Sequence, residues 1–239
     1  MKKIIILLTV LISVNLTAQS WFGEKVKGNG HIVNEFRNVG DYDEIAVVGA
    51  FEVNLVSGKE GDLKIKIEDN LSQYLITEVS KGKLKIRWKK NINIKSHKAI
   101  FITVPFKDLT GVYLVGSAEI TSTSVIKAEN FMLKLTGSGD LQLEVEANNV
   151  TTKLAGSGDI TLNGKTDFLK VSVAGSGGFH GFNFKADEVE AKLAGSGDID
   201  VYASEKLTGS IAGSGDIEYD GNPEIENTKI VGSGDISKH

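Results

Sequence analysis

The chain has 239 residues, with 27 Lys and Arg against 31 Asp and Glu, and it contains no cysteine. Without cysteine, neither a disulfide framework nor a lipid-modified N-terminal cysteine can form. The net charge of -4 argues against nucleic acid as a partner. The 27 glycines recur at regular positions beside only 2 prolines, which indicates periodic turns rather than a flexible linker.

Residues 1–18 have the layout of a secretory signal peptide. Lys2 and Lys3 precede an apolar run from Ile4 to Val14, and a short polar stretch ends at Ala18. The run is shorter than the roughly 20 residues that a membrane-spanning helix needs. We therefore expect cleavage near Ala18, no transmembrane segment after it, and export to the periplasm, the outer cell surface or the extracellular space.

Residues 19–36 carry no clear pattern and are interpreted as an N-terminal linker. Residues 37–106 show repeated strand signals and are predicted to form a β-rich N-terminal part of a larger β domain. Within them, Ser80–Lys83 has the composition of a hairpin turn, and Gly49 begins what looks like a degenerate copy of a later repeat. We expect this part to cover the otherwise exposed first coil.

A Gly-Ser-Gly-Asp turn recurs at intervals of 18 to 21 residues across residues 107–239. Its seven copies, some imperfect, begin at Gly116, Gly137, Gly156, Gly175, Gly195, Gly213 and Gly232. Apolar residues alternate around each turn, as expected of strands with one buried face. A unit this small cannot bury that face alone, so the copies must stack.

Stacking predicts an all-β parallel β-helix or β-roll of about seven coils, each with two short strands. An antiparallel meander stays open, because period-two alternation does not reveal strand direction. In a stack, the turn glycines permit the bend and the serine hydroxyls can bond backbone groups at the corner. These structural turn residues are Gly137, Ser138, Gly139, Gly156, Ser157, Gly158, Gly195, Ser196, Gly197, Gly213, Ser214 and Gly215.

The aspartates of the repeat form a second column. We interpret each as an Asx-type residue that bonds the backbone of its own turn. The alternative is Ca²⁺ shared between coils, which would relieve repulsion between stacked carboxylates. One carboxylate per coil falls short of the 6 to 8 oxygens around Ca²⁺, so no cofactor is expected. The candidates for that alternative are Asp140, Asp159, Asp198, Asp216 and Asp235.

Two groups of residues are candidates for binding. Lys83, Lys85 and Arg87 share one face of a strand that ends at Trp88, and they form either a solvated face or a footprint for an anionic partner. The second group, His180, Phe182 and Phe184, lies where the aspartate column is interrupted at Gly178. Core packing is the simpler interpretation of these phenylalanines, whereas an exposed ring could stack on a sugar or a protein.

No catalytic group stands out. The four histidines have no ligand spacing, there is no cysteine nucleophile, and no carboxylate pair is distinct from ordinary solvated strand residues. The sequence is therefore interpreted as non-enzymatic. A carbohydrate-active enzyme on a β-helix scaffold and a purely structural envelope protein are the alternatives.

Several segments together resemble a known family. The segment from Ala46 to Val53, the hairpin from Lys81 to Arg87, the Ile102–Pro105 element and the following repeats are similar to the auto-transporter adhesin head GIN domain family over residues 37–236. The resemblance implies a right-handed parallel β-helix-like fold in an exported protein of Bacteroidetes type, and it supplies no catalytic residues. The combined prediction is a binding or adhesion module that recognises a surface polysaccharide or protein through a solenoid face.

Overall fold

The computed structural model describes residues 24–239, apart from the side chains of residues 225–227, and the predicted signal peptide lies outside this range. The N-terminal part contains β1 (Glu24–Lys27), β2 (Ile32–Asn38), β3 (Glu44–Gly49), β4 (Glu52–Ser57), β5 (Asp62–Glu68), α1 (Asp69–Ser72), β6 (Leu75–Ser80), β7 (Lys83–Trp88), β8 (Ile92–Lys95) and β9 (Phe101–Phe106). The repeat region contains β10 (Gly111–Gly116), β11 (Glu119–Ser122), β12 (Ile126–Gly137), β13 (Asp140–Gly156), β14 (Asp159–Gly175), β15 (Gly178–Gly195), β16 (Asp198–Gly213), β17 (Ile217–Gly221), β18 (Glu224–Gly232) and β19 (Ile236–Lys238). Within residues 24–239, no helix has the length and apolar character needed to cross a bilayer.

The repeat region is a β-solenoid in which successive coils pair in parallel. Each corner glycine lies beside its counterpart in the next coil, as Gly137 does beside Gly156. The parallel pairing confirms the solenoid and excludes the antiparallel meander. The degenerate copy is also confirmed, because Gly49 pairs with Gly116 and thereby forms the first corner of the stack.

Each central coil is one long bent strand rather than two short ones. Strands β13 to β16 have 16 to 18 residues each and run from just after one corner to the next corner glycine. The inter-strand pairing continues almost without interruption through the second bend of the coil. The strand segments before and after that bend, the two arms of the coil, are therefore not separated by a loop. Apolar residues of both arms point inward and stack coil on coil, for example Leu135, Leu154, Val173, Leu193 and Ile211.

The corner needs glycine for two reasons. Gly156 has a φ of 135°, and a Cβ on it would overlap the carbonyl oxygen of Gly137 in the preceding coil. That same oxygen accepts the backbone N–H of Ser157 at 2.9 Å. The corner is therefore held by backbone bonds between coils, and the serine side chains point into solvent. This replaces the expectation that serine hydroxyls would satisfy the corner backbone.

The N-terminal part closes one end of the solenoid. Strands β7 and β9 add a further parallel layer beneath β3 and β4, and antiparallel β6, β5 and β2 cover that layer. The predicted hairpin lies between β6 and β7, with Lys81 and Gly82 both at positive φ, as a type I′ turn requires. Strands β1 and β2 occupy residues expected to be a linker. That prediction fails here because β2 gains its register from β5 rather than from a strong pattern of its own.

Candidate functional site

The aromatic residues predicted as a binding site do not come together. Phe184 is fully buried, which agrees with core packing, the simpler interpretation, and not with the alternative of an exposed binding ring. It is in register with Gly164 of the preceding coil. Phe182 is half-buried, and its ring centroid lies 4.5 Å from that of His239. The buried Phe184 ring is therefore not accessible for stacking, and the Phe182 ring already contacts an imidazole.

His180 fills the interruption in the aspartate column. Its Nδ1 lies 2.8 Å from a carboxylate oxygen of Asp200, and its Nε2 lies 3.9 Å from Asp159. A Cβ at Gly178 would come within 2.8 Å of Nε2. The aspartate is therefore missing from this coil because the imidazole occupies its space and bridges the neighbouring carboxylates. The predicted binding residue His180 is exposed, and its contacts are with these two carboxylates.

The basic strand β7 is largely neutralised by its neighbours. Lys83 forms an ion pair of 2.8 Å with Glu44 and lies 3.9 Å from the centroid of the Tyr113 ring. Burial and the adjacent Glu44 raise the pKa of Tyr113 to about 12. Arg87 pairs with Glu78 at 3.0 Å. Of the predicted cationic footprint, these two side chains are therefore committed to contacts within the protein.

The two remaining members of that group differ from each other. Lys85 is half-buried on the same face of β7. Trp88 packs against the core, with its ring centroid 5.2 Å from that of Phe51. The indole therefore contributes to the packing of the first corner and presents only part of its surface to solvent.

The aspartates of the corner bond the next coil rather than their own turn. Asp159 Oδ1 accepts the backbone N–H of Gly178 at 2.8 Å, and Asp216 Oδ1 accepts that of Asp235 at 2.8 Å. The Asx-turn interpretation is therefore wrong, because the stacked corners bring the next coil's N–H closer than any in the same turn. Among residues 24–239, no three His, Asp or Glu side chains are placed to hold a metal ion.

An open groove runs along the solenoid axis at the second bend of the coils. Its volume is about 650 Å³. We call it the axial groove. It crosses four coils and is lined by Lys127, Ala128, Glu146, Ala147, Asn148, Lys165, Thr166, Asp167, Lys185 and Asp187.

The floor and walls of the axial groove follow from strand alternation. Ala128, Ala147 and Thr166 are inward-pointing small residues in successive coils, so the backbone between the walls is uncovered. The outward residues that precede the floor residues form one wall, which consists of Lys127, Glu146, Lys165 and Lys185. The outward residues that follow the floor residues form the other wall, which contains Asn148, Asp167 and Asp187.

Hydrogen bonds fix the shape of the groove. Thr166 Oγ1 lies 2.9 Å from the carbonyl oxygen of Asn148 and 3.1 Å from that of Phe168, which ties its coil to the one below. At one end of the groove, the Lys185 ammonium lies 3.6 Å from the centroid of the Tyr202 ring. The site is therefore largely pre-formed. One wall is mainly positively charged, the other is negatively charged, and the groove has no large net charge.

A sequence signal for the groove existed but was not recognised. A small residue stands nine or ten positions before each corner glycine, at Ala128, Ala147, Thr166, Ala186 and Ala203. On its own this periodicity is equally compatible with the end of a strand. Its meaning depends on the bend, which no glycine or proline marks in every coil.

Comparisons with known proteins agree with this architecture. A crystal structure described as a "putative lipid binding protein" from Parabacteroides distasonis is 31% identical, with a TM-score of 0.76 over 90% of this chain and 100% of that one. A "putative adhesin" from Bacteroides fragilis has 21% identity and a TM-score of 0.84, over 90% of this chain and 100% of the other. Another from Parabacteroides merdae has 21% identity and a TM-score of 0.67, over 90% and 99%. At these lower identities the likeness concerns the fold alone.

No curated protein matches the chain significantly. The model of one protein family matches residues 41–223, which is most of the described solenoid. The match includes the first corner, the hairpin and the repeats up to the last coil but one. The chain belongs to the adhesin-like family described as "Putative auto-transporter adhesin, head GIN domain".

Proposed function

We propose that this chain is an exported, non-enzymatic adhesion module that binds a surface polysaccharide in the axial groove. The observation that carries the proposal is the groove itself, which is pre-formed, polar-walled and open at the surface. Its volume of about 650 Å³ lies within the range of roughly 300 to 1,000 Å³ that small-molecule sites occupy. The predicted signal peptide and the family membership support export.

The chemistry of the walls suits a sugar chain. Carboxylates of Asp167 and Asp187 can accept hydrogen bonds from hydroxyl groups, and the ammonium groups of Lys127 and Lys165 can donate to ring and hydroxyl oxygens. The small floor residues allow a pyranose ring to approach the backbone. Coils repeat at about 4.8 Å, close to the length of one extended sugar unit, so each coil can meet one unit of a linear chain.

A lipid fits this groove less well. An acyl chain needs an apolar lining, whereas both walls of the groove carry charged or amide side chains. The name of the Parabacteroides distasonis relative mentions lipid. In the present chain the axial groove favours a hydroxylated, hydrophilic ligand.

The proposal can be tested on a glycan array with a variant that fills the groove. We expect Ala128→Phe to weaken glycan binding at least about tenfold, because the ring would cover the floor. Asn93→Phe, on the exposed part of β8 and far from the groove, is the matched control and should bind as wild type does. If neither the glycan array nor a pull-down from surface extracts shows binding by the wild type, the proposal is contradicted.

The proposal that the protein is not an enzyme is tested by a separate measurement. A bound polysaccharide should be recovered at its original chain length after prolonged incubation, with no new reducing ends or unsaturated sugars. Cleavage by the wild type, lost in Asp167→Asn or Asp187→Asn, would instead establish a carbohydrate-active enzyme.

A further inference from the structure

The solenoid carries opposite charges on the two sheets that meet at the Gly-Ser-Gly corner. The sheet after the corner has an outward column in which seven of eight positions are acidic: Glu52, Glu119, Asp140, Asp159, Gly178, Asp198, Asp216 and Asp235. The next outward column adds Asp200 and Glu218 and contains no Lys or Arg between Asn54 and Ser237. We call this surface the acidic face.

The sheet before the corner is mainly basic, although Glu190 on it pairs with Lys170 and Lys192. Its outward column three residues before each corner glycine contains Lys134, Lys153, Ser172, Lys192, Ser210 and Lys229. In the central coils the column one residue before the glycine is made of small residues, Thr136, Ala155, Ala174, Ala194 and Ala212, and the exposed Val115 and Val231 continue it at its two ends. Lysines and alanines of these columns surround a shallow, mainly apolar depression of about 500 Å³. We call this surface the basic face.

We infer that the basic face of one copy docks on the acidic face of a second copy, side by side along the solenoid axis. The charges are complementary, and successive positions of both columns are one coil apart, with lysine at four of the six positions of the basic column. Each of these lysines can therefore lie beside a carboxylate of an aligned copy. The alanine column lets the two sheets approach closely over the central coils, where only small side chains lie between the lysines and the corner.

The extent of contact indicates a weak association. Seven coils at about 4.8 Å and five strand residues at about 3.3 Å give a face of roughly 550 Å² per copy, or roughly 1,100 Å² in total. Stable complexes bury about 1,200 to 2,000 Å². Docking also relieves the repulsion between carboxylates stacked on neighbouring coils. The association should therefore be transient, strongly dependent on salt, and effective where copies are crowded on a surface.

Sedimentation velocity of the exported protein tests the inference. We expect concentration-dependent self-association at about 0.01 M ionic strength, where the Debye length is about 30 Å, and monomers at about 1 M, where it is about 3 Å. A chain that stays monomeric at low ionic strength and high concentration would overturn the inference. The result does not depend on glycan binding in the axial groove, which does not contribute to either face.

Charge-swap variants identify the surfaces. The triple variant Lys134→Glu, Lys153→Glu, Lys229→Glu, which leaves the Lys192–Glu190 ion pair intact, should self-associate at least about tenfold more weakly. The triple variant Glu52→Lys, Glu119→Lys, Asp235→Lys should do the same, and it leaves in place the four aspartates of the column that accept a backbone N–H. Mixing the two variants should restore association, because each supplies the charge that the other lacks.

A control of equal charge change distinguishes the faces from net charge. Reversal of Lys81, Lys89 and Lys90 on the N-terminal hairpin should leave self-association as in the wild type. Equal weakening by this control, or no recovery in the mixture, would overturn the inference. Binding of the basic face to anionic lipid vesicles by a protein that remains monomeric would overturn it too, by assigning that face to a membrane.

Discussion

At the scale of single residues, the corner glycine combines a backbone conformation with a close contact between coils. Gly175 has a φ of 129°, and a Cβ there would overlap the carbonyl oxygen of Gly156. Gly40 also has a positive φ, of 84°, but a Cβ on it would meet nothing within 4 Å. Alanine variants at the two positions therefore separate the free-energy cost of a positive φ from the free-energy cost of the overlap between coils.

We predict that Gly175→Ala destabilises the protein by about 3 kcal/mol or more, because the backbone of the corner must move and its bonds to the neighbouring coil lengthen. Gly40→Ala should cost only about 1 kcal/mol, the cost of the conformation. Urea unfolding followed by circular dichroism measures both. Similar costs for the two variants would show that stacked corners yield more easily than the structure indicates.

A second residue-scale feature is the buried carboxylate of Glu68. It accepts the backbone N–H of Gly30 at 2.6 Å and of His97 at 3.0 Å, and the hydroxyl of Ser96 at 2.6 Å. Burial acts to raise its pKa, but these hydrogen bonds outweigh burial and hold the pKa below its usual value. Glu68 thus fastens the β1–β8 pair to the end of the solenoid.

The lowered pKa predicts a loss of stability in acid. A depressed folded-state pKa gives stabilisation that is complete above the unfolded pKa of about 4.3 and disappears as pH falls through the lower folded value. Glu68→Gln should lower the free energy of unfolding at pH 7 and flatten its decline below about pH 4. Glu119→Gln, an exposed control, should keep the wild-type pH profile. An unchanged profile in Glu68→Gln would contradict this prediction.

At the scale of the element, each coil depends on its neighbours for burial. Ile211 and Ile230 occupy equivalent inward positions in adjacent coils, yet Ile211 is 1% exposed and Ile230 is 43% exposed. The difference arises because β16, which contains Ile211, is paired on both sides, whereas β18, in the last coil, pairs only with β16. Isoleucine at the same register position is thus buried in an inner coil and partly exposed in the last coil.

We predict that Ile211→Ala costs about 2 to 5 kcal/mol and that Ile230→Ala costs about 1 kcal/mol, because roughly half of its side chain is already exposed. Hydrogen exchange should also show the last coil opening more readily than the central ones. Equal costs for the two variants would mean that another surface covers the end of the solenoid in solution.

The dependence of each coil on its neighbours also explains which buried residues can be predicted from the sequence and which cannot. Alternation assigns Leu154 and Val173 to the core correctly, because the turns fix the register of the arms before them. It does not decide which of Phe182 and Phe184 points inward, because the pairing register shifts between Gly181 and Lys185 and the inward parity changes there. Such a shift depends on the length of the neighbouring coil, which residue-by-residue alternation does not contain.

The candidate site was less predictable than the fold. The partners of Lys83 and Arg87 come from β3 and β6, and only the strand pairing places those carboxylates beside the lysine and arginine. The axial groove arises where the coils bend, and its small residues have no distinctive chemistry. The charge separation across the corner could have been read from the repeat, because both columns keep a constant distance from the corner glycine.

At the scale of the whole molecule, the acidic face is a line of like charge that is interrupted at Gly178. Two unit charges about 4.8 Å apart repel by about 1 kcal/mol in water, and several such pairs lie along the column. Hydrogen bonds from the next coil offset part of this cost, as for Asp140 and Asp198, whose carboxylates accept the backbone N–H groups of Asp159 and Asp216. The isolated molecule therefore retains repulsion that either salt or a cationic partner surface would reduce.

This repulsion predicts that salt stabilises the dilute monomer. Raising the ionic strength from about 0.01 M to 0.15 M should increase the free energy of unfolding by about 1 to 2 kcal/mol, measured below the concentration at which copies associate. Changing Asp140, Asp159, Asp198 and Asp216 to Asn keeps an acceptor for each backbone N–H but removes the charge, so this variant should lose most of the salt response. A control with Asp41, Asp108, Glu129 and Glu205 changed to amides removes the same number of charges without touching the column. If both variants respond to salt like the wild type, the column is not a source of strain, and relief of repulsion cannot contribute to docking between copies.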